Sequence, residues 1–431
     1  MEYLPILVLV LSFVVLLAIG TPVAWSIAIS SVLTMLVSIP VLPAFTTVSQ
    51  RIGTGLDSFA LLAIPLFILS GELMNKGGIA HRLIAFAKTL VGALPGGLAL
   101  INIVSAMLMG AIAGSSMAAA SAMGSILGPE MEREGYSREF GAAVNITAAT
   151  TGLVIPPSNV LIVYSLASGG ASIAALFLAG YIPGILTGLF LMIVASFWAK
   201  KKGYKVGERS SFKQIFKTFV DALPSLFMLV VVIGGIVVGV FTATEASAIA
   251  VLYSLLLGLF YKEISFDRLP KILLDSTSTT AIVMLLIGAS MSMSWALSYE
   301  NIPQEISSGL LGISDNKIVI LLIINLLLLF VGIFMDMTPA VLIFTPIFLP
   351  VVTKLGLDPV HFGIIMVLNL CIGLCTPPVG SVLFVGVGIA NTTIEKVIKP
   401  LFPLFIAMII ALLLVTYIPQ LSLWLPSLFD L

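Results

Sequence analysis

Long apolar stretches separated by short polar or interrupted segments dominate the pattern of this chain. The runs 6–19, 173–198, 226–241 and 318–334 each supply most or all of the ~20 apolar residues that a bilayer-spanning helix needs. These runs lack the alternation of apolar and polar positions that marks a membrane β-strand. Because backbone inside lipid must satisfy its own hydrogen bonds, the helix is the remaining solution. The pattern predicts an all-α, polytopic membrane protein.

Composition supports the same class of protein. Apolar residues make up 59% of the chain and charged residues 9%, against roughly 25% charged residues in a typical soluble domain. The mean hydropathy is +1.20. The formal net charge is zero, and the chain has no long basic block, so no nucleic-acid partner is expected.

Two segments of similar pattern recur, one in each half of the chain. The first half carries GAIAGSSMAAASAMG from Gly110 and the motif Gly-x-x-x-Pro-Pro from Gly152. The second half carries GIFMDMTPAVLIFTP from Gly332 and the same motif from Gly373. Matched motifs in matched order predict a duplication.

A polar stretch over 200–217, which begins with three lysines, separates the two copies. The positive-inside rule predicts that this linker is cytoplasmic, so the repeats are 1–199 and 218–431. An odd number of crossings in each copy makes the second copy inverted, as in many transporters. The basic residues of the loops agree, because they place the loop 129–139 inside and the loop 351–362 outside.

Each repeat is predicted to contain a re-entrant helical hairpin and a broken helix. Both candidate hairpins are interrupted at their middle, by Gly114-Ser115-Ser116 and by Asp336 to Pro339. Irregular backbone at membrane depth is tolerated only where it is buried in protein or lines a cavity. The predicted bounds are a helix at 83–103, a hairpin at about 105–128 and a broken helix at 140–168, then a helix at 317–331, a hairpin at about 332–353 and a broken helix at 361–392.

The Pro-Pro pairs that follow Gly152 and Gly373 remove backbone donors and so prevent ordinary helical hydrogen bonds. The carbonyl groups of 152–155 and 373–376 are therefore expected to be unpaired. The C-terminal ends of half-helices present such oxygens to alkali cations. The breaks predict two sites for sodium ions.

Side chains on the hairpins can complete these sites. Ser115 and Ser116 offer hydroxyl groups in the first copy, and Thr338 and Asp336 offer oxygens in the second. The N-termini of the facing half-helices would offer N–H groups to an anionic substrate. Small residues and prolines also occur where membrane helices simply pack closely. Their paired occurrence at matched spacing favours a site.

Isolated charges inside apolar sequence are further candidates, because each costs at least ~2.5 kcal/mol at the bilayer centre. Asp336 is the clearest case. Glu72 and Glu245 are interpreted as structural, Glu245 as a first-turn residue after a cap at Thr242 or Thr244.

Three asparagines can cap helices, bridge helices or contact substrate, and the sequence does not choose among these roles: Asn145, Asn159 and Asn369. Cys371 and Cys375, four residues apart on one apolar segment, are expected to be small packing residues.

An ordered set of segments resembles the large membrane subunit of TRAP transporters, the tripartite ATP-independent periplasmic class. These segments are LDSFALLAIPLFILSGELMNKGGI, GSSMAAASAMG, VIPPSN, TEASAIA, FMDMTPAVLIFTPIFLP and CTPPVG. The resemblance implies a sodium-driven importer of the bacterial inner membrane, in which a transport domain of two hairpins and two broken helices slides against a scaffold. It implies two partners, a small four-helix membrane subunit and a periplasmic substrate-binding protein. The implied substrates are organic acids such as C4-dicarboxylates and sialic acids, with Na⁺ as coupling ion and no other cofactor.

Residue by residue, the resemblance implies two sodium sites. The first comprises Ser115, with Ser116 beside it, and the carbonyls around Gly152, Ile155 and Pro157. The second comprises Asp336, Met337, Thr338, Gly373, Thr376 and Pro378. The candidate substrate contacts are Ser116, Asn145, Asn159 and Thr338. Some sialic acid members carry an acidic residue where this chain has Ala119, so the substrate stays open.

Other function classes are weighed against this prediction. A self-sufficient sodium-coupled anion transporter would share the architecture and need no binding protein. An intramembrane enzyme is disfavoured, because the chain has two histidines and no HExxH motif. No phosphate-binding Gly-x-x-x-x-Gly-Lys-Ser/Thr loop is present, so uptake without ATP is expected.

Overall fold

The computed structural model describes residues 4–207, 209–314 and 316–431, except for the side chains of 111–113. These residues form α-helices and two short 3-10 helices, Phe59–Leu62 and Phe266–Arg268, with no strand among them. The first ten α-helices are α1 (Leu4–Ala18), α2 (Val23–Ser38), α3 (Val41–Leu56), α4 (Ala63–Lys76), α5 (Ile79–Val91), α6 (Gly97–Ala113), α7 (Ser116–Arg133), α8 (Arg138–Thr151), α9 (Asn159–Ala167) and α10 (Ile173–Lys202).

The second half contributes ten more: α11 (Phe212–Val237), α12 (Ala243–Phe260), α13 (Leu269–Tyr299), α14 (Ile302–Ile313), α15 (Lys317–Phe334), α16 (Met337–Lys354), α17 (Pro359–Gly373), α18 (Ser381–Ile389), α19 (Ile394–Tyr417) and α20 (Gln420–Ser427). Eight helical segments in the described part of the chain are long and apolar enough to cross a membrane. The prediction of an all-α polytopic membrane protein is confirmed.

Two groups of helices can be distinguished by what they contact. In the first group α1 packs on α2, α13 packs on α2 and α3, and α4 packs on α12 and α13. In the second group α6 and α7 pack on α8, α15 and α16 pack on α17, and α18 packs on α7 and α8. Helices α8 and α17 lie at the centre of the second group, since all of 142–151 and 361–373 are buried. A helix that is buried on every side is consistent with this central position.

Both hairpins are longer than the sequence predicted. The first consists of α6 and α7, so it begins at Gly97 and not near 105, and it extends to Arg133 and not to 128. The predicted helix at 83–103 is wrong, because the chain turns between α5 and α6 at Leu94-Pro95-Gly96-Gly97, where Gly96 has a φ of +82°. Proline and a left-handed glycine end one helix and start another.

The second hairpin consists of α15 and α16, which span 317–354 and not 332–353. The separate helix predicted at 317–331 is its first arm. This arm continues to Phe334 because Gly332 is an interior helical residue, and the interruption comes only at Met335 and Asp336.

Each broken helix is interrupted at its Pro-Pro pair. Helices α8 and α9 are separated by 152–158, and α17 and α18 by 374–380. The linker without helix is shorter than 200–217, because α10 continues through Lys202 and α11 begins at Phe212. Lysines in the last turn of α10 are favourable beside the negative end of the helix dipole. The opposite orientation of the two halves stays a prediction.

Matched glycines bring each hairpin against its broken helix. The backbones of Gly110 on α6 and Gly152 after α8 are in direct contact, as are those of Gly332 on α15 and Gly373 on α17. A Cβ atom on any of the four would overlap or crowd the partner's backbone. Small residues permit this close approach of membrane helices.

Candidate functional site

The tips of the two hairpins meet at one cavity of about 190 Å³. Six residues that the sequence analysis proposed border it: Ser115, Ser116, Asn159, Asp336, Met337 and Thr338. The interruptions of both hairpins and the start of α9 therefore lie at the same cavity.

Three helices begin at this cavity, namely α7, α9 and α16. Ser115 caps α7, since its Oγ accepts a hydrogen bond from the Ala118 N–H at 3.3 Å. Asp336 occupies the corresponding position before α16, and its side chain makes no capping hydrogen bond. The first N–H groups of a helix lack intrahelical partners and carry the positive end of its dipole. Three such ends at one cavity favour an anionic ligand.

Two helices end near the same cavity. Leu153, just after α8, and Leu374, just after α17, both border it. The unpaired carbonyls at a helix C-terminus carry the negative end of the dipole and favour a cation. The cavity therefore offers main-chain groups suited to ions of both signs.

The carbonyl groups of the two breaks differ. In the first break the oxygens of Gly152, Ile155 and Pro157 accept no backbone hydrogen bond among the described residues. In the second break the Gly373 oxygen accepts from the Thr376 N–H at 2.9 Å, and the Thr376 oxygen accepts from the Gly380 N–H at 3.1 Å. The Leu374 oxygen also accepts, from the Leu383 N–H at 3.4 Å, so the expectation of unpaired carbonyls is wrong for Gly373, Leu374 and Thr376.

The physical reason is the tight path of the second break, where 373–380 folds into successive turns that bring N–H groups back to these oxygens. A carbonyl oxygen has two lone pairs, so one hydrogen bond leaves each oxygen able to accept a second ligand.

The break residues predicted as sodium ligands do not border the cavity themselves, although their neighbours Leu153 and Leu374 do. Gly152 and Gly373 lie in the glycine contacts, and Ile155 packs against Gly184 of α10. The Thr376 hydroxyl donates to the Ile372 oxygen at 2.7 Å. Pro157 is buried and Pro378 is exposed, and both lie outside the lining.

Asn145 lies elsewhere in the fold. Its Nδ2 donates to the Ala120 oxygen at 2.7 Å, and it borders a different cavity, of about 390 Å³, together with Asn102 and Asn391. The structure does not bring Asn145 to the hairpin tips.

Asn369 bridges helices, because its Nδ2 donates to the Asn325 Oδ1 of α15 at 2.7 Å. Cys371 and Cys375 are fully buried, and the Cys371 thiol donates to the Thr150 oxygen of α8 at 3.2 Å.

The structure confirms the capping role of Glu245. The Thr242 hydroxyl accepts from the Glu245 N–H at 3.2 Å, and the Glu245 carboxylate accepts from the Thr242 N–H at 2.8 Å. This reciprocal pair is a capping box.

Three polar residues near the tips were missed or set aside. Glu72 of α4 and Thr279 of α13 border the cavity. Glu72 was interpreted as structural, although an isolated charge in an apolar helix was the available signal. Ser158 lies beside Asn159 in the first break, and its buried hydroxyl has no hydrogen-bond partner among the described residues.

Gly114 holds the first tip beside α9. Its φ is +60°, and a Cβ atom there would lie 2.8 Å from the Asn159 Nδ2.

No lysine, arginine or histidine borders the cavity as described. Among the described groups at the cavity, only the helix N-termini carry a positive potential.

Comparisons with known proteins place the chain in a family. Residues 10–421 match the family described as "Tripartite ATP-independent periplasmic transporter, DctM component". The chain is 56% identical to the uncharacterized protein YgiK of Salmonella typhimurium, over 99% of both chains. It is 37% identical to the C4-dicarboxylate TRAP transporter large permease protein DctM of Rhodobacter capsulatus, over 96% of this chain and 97% of that protein.

Two further similarities extend the comparison. The chain is 38% identical to the sialic acid TRAP transporter large permease protein SiaM of Vibrio cholerae, over 88% of this chain and 89% of that protein. Its fold resembles the crystal structure of the Alcanivorax borkumensis YdaH transporter, with a TM-score of 0.65, 13% identity, and coverage of 91% of this chain and 90% of that one.

Proposed function

Because the chain belongs to the DctM family of tripartite ATP-independent periplasmic transporters, we propose that it is the subunit of a sodium-coupled importer that moves an organic acid anion. As a large permease of that family it is a multi-pass inner-membrane protein and not an enzyme. In this proposal a periplasmic binding protein delivers the anion and a small four-helix membrane subunit completes the transporter.

One observation carries the proposal, the meeting of both hairpin tips at one cavity that three helix N-termini and two helix C-termini approach. The N-termini suit a carboxylate and the C-termini suit sodium ions. A cavity with both kinds of group can hold an anion and its coupling cations together.

The first proposed sodium site combines the Ser115 hydroxyl with the carbonyls of Gly152, Ile155 and Pro157. The absence of backbone partners for these three oxygens supports it. Ser116 lies next to Ser115 on the same tip and borders the same cavity.

The second proposed sodium site combines Asp336, Met337 and Thr338 of the second tip with the oxygens of the second break, namely Gly373, Thr376 and Pro378. The equivalent order of hairpin, glycine contact and break in the two halves supports it. The remaining lone pairs of the Gly373 and Thr376 carbonyls are the ligands available there.

The proposed substrate contacts are Ser116, Asn159 and Thr338, which border the cavity. Asn145 is not among them, because it borders a different cavity. Relatives named for C4-dicarboxylate and sialic acid transport support organic acids of these classes as substrates.

Energetics is consistent with uptake without ATP. Each charge that crosses a membrane potential of 100 mV contributes ~2.3 kcal/mol. Two sodium ions with one monoanion move one net charge, and the sodium concentration ratio adds to that driving force. The two helix groups support an elevator movement, in which the group containing the hairpins slides against the group containing α1–α4, α12 and α13.

Reconstitution tests the proposal. The chain is placed in proteoliposomes alone, with the small subunit, and with both partners, and uptake of a labelled organic acid is followed under an inward sodium gradient. We expect accumulation only with both partners. Uptake of free substrate by the chain alone would instead support the alternative, a self-sufficient sodium-coupled transporter of the same architecture.

A further inference from the structure

Glu72 has no counter-charge although it lies within a membrane helix. It is in the third turn of α4, within the segment Phe59–Lys76 that is long and apolar enough to cross a membrane, and it is half-buried. Its carboxylate makes no ion pair, since the two ion pairs within the described residues join other side chains. Lys76, one turn further along α4, does not border the cavity. Burying an unpaired charge is costly, so this carboxylate needs a cation or water.

The cavity supplies a second carboxylate opposite. Asp336 borders the same cavity from the second hairpin tip, its side chain is accessible, and it makes no ion pair within the described part of the chain. Two carboxylates therefore face a cavity that no basic side chain borders. Like charges at one site repel each other and repel an incoming organic acid.

Neutral oxygen ligands lie at the same place. Ser116 is only 6% exposed and borders the cavity, and its hydroxyl makes no hydrogen bond among the described residues. Thr338 also borders the cavity. The Ser116 oxygen has no hydrogen-bond partner among the described residues, so it is available to bind a cation in the cavity. Carboxylate and hydroxyl oxygens suit a hard monovalent cation.

We propose that Glu72 holds a third sodium ion, between α4 and the hairpin tips, in addition to the two sites at the breaks. The inference rests on the proposed function, because it concerns the same cavity. Glu72 belongs to the helix group of α12 and α13, whereas Asp336 and Ser116 belong to the hairpins. The third site is therefore complete only while the tips lie against α4.

The site has a consequence for the order of binding. With both carboxylates unneutralised, an organic acid meets two negative charges. With one sodium ion at the second proposed site beside Asp336 and another between Glu72 and the tips, both charges are compensated, and the helix N-termini can attract the substrate. Sodium therefore binds before the anion.

Equilibrium binding of radioactive sodium to the purified full chain tests the inference. Four proteins are compared: wild type, Glu72→Gln, Glu72→Asp and the control Glu245→Gln, whose carboxylate caps α12 away from the cavity. We expect Glu72→Gln to bind one sodium ion fewer per chain, and Glu72→Asp and Glu245→Gln to bind the wild-type number. An unchanged number and affinity in Glu72→Gln would overturn the inference and leave the two-site proposal intact. Absence of sodium binding in the wild type would instead overturn the proposed function.

A second measurement uses the native chain and does not depend on folding of the variant. A hydrophobic carbodiimide modifies accessible carboxylates, and mass spectrometry follows modification of Glu72. We expect sodium chloride to slow this modification and choline chloride at the same ionic strength to leave it unchanged. Equal modification in both salts would contradict a sodium ion at Glu72.

Discussion

The hydroxyl groups of Ser115 and Thr338 lie on different hairpins and border the same cavity. We predict that Ser115→Ala and Thr338→Ala each raise the sodium concentration for half-maximal uptake, because each removes one oxygen ligand. The loss of one ligand worth about 1–2 kcal/mol corresponds to roughly 5–30-fold. Uptake by the reconstituted three-component transporter at varied sodium concentration measures the effect.

The matched control is Ser125→Ala on α7, whose hydroxyl donates to the Ser121 oxygen of its own helix and does not border the cavity. Its sodium dependence should equal that of the wild type, and all three variants should insert in the membrane. Unchanged sodium dependence in both Ser115→Ala and Thr338→Ala would count against the two sodium sites.

Gly114 allows a separate test of how the first tip approaches α9. Gly114→Ala combines backbone strain with a Cβ contact on Asn159, whereas Gly169→Ala has a similar φ, +82°, and open space around it. We predict that both variants lose some thermal stability through strain, and that only Gly114→Ala loses uptake. Equal uptake in the two variants would show that the contact between the tip and Asn159 is dispensable.

At the scale of single residues, the sequence predicted some of the residues that border the cavity. Ser115, Ser116, Asp336 and Thr338 were found from paired interruptions of apolar helices and Met337 from the family resemblance, and all five border the cavity. The position of Asn145 could not be found, because it depends on which face of α8 meets α7. Glu72 was set aside because the neighbours of a charge on α4 are decided by tertiary packing, which periodicity does not report.

At the scale of elements, the glycine contacts position each hairpin beside its broken helix. We predict that Gly110→Ala and Gly332→Ala each lower the free energy of unfolding by about 1–3 kcal/mol, the usual cost of overpacking, because a Cβ atom would meet the backbone of Gly152 or Gly373. Thermal unfolding in detergent measures the loss. The matched control is Gly234→Ala on α11, which has open space and should be neutral or stabilising.

If Gly110→Ala and Gly332→Ala unfold like the control, the close contacts are not required for the fold. A loss of stability that is confined to one of them would show that the two halves depend on these contacts unequally.

The sequence predicted the breaks in the broken helices and the tips of the hairpins. It did not predict where the helical arms of the hairpins begin and end. Proline pairs and hydroxyl or acidic residues mark an interruption by their own chemistry, so the breaks at Pro156-Pro157 and Pro377-Pro378 and the tips at Ser115 and Asp336 were found. The start of α6 at Gly97 and the continuation of α15 through Gly332 to Phe334 depend on which of several glycines ends a helix. The paired carbonyls of Gly373 and Thr376 depend on turn geometry in 373–380, which motif spacing does not report.

At the scale of the whole molecule, the central prediction is that the two halves are inserted in opposite orientations. Lys205→Cys lies in the segment between α10 and α11, and Thr353→Cys lies at the end of α16, and both positions are exposed. We predict that a membrane-impermeant thiol reagent labels Lys205→Cys only from the cytoplasmic side and Thr353→Cys only from the periplasmic side. The native Cys371 and Cys375 are buried, so background labelling should be low. Labelling of both positions from one side would contradict inversion.

Entry of radioactive sodium during substrate uptake tests the proposed sodium coupling most directly. Proteoliposomes that contain the chain and both proposed partners are given a labelled organic acid, and sodium and substrate are counted in the same vesicles. We predict that substrate accelerates sodium entry and that sodium and substrate enter in a fixed ratio. Accumulation of the acid without accompanying sodium would contradict it.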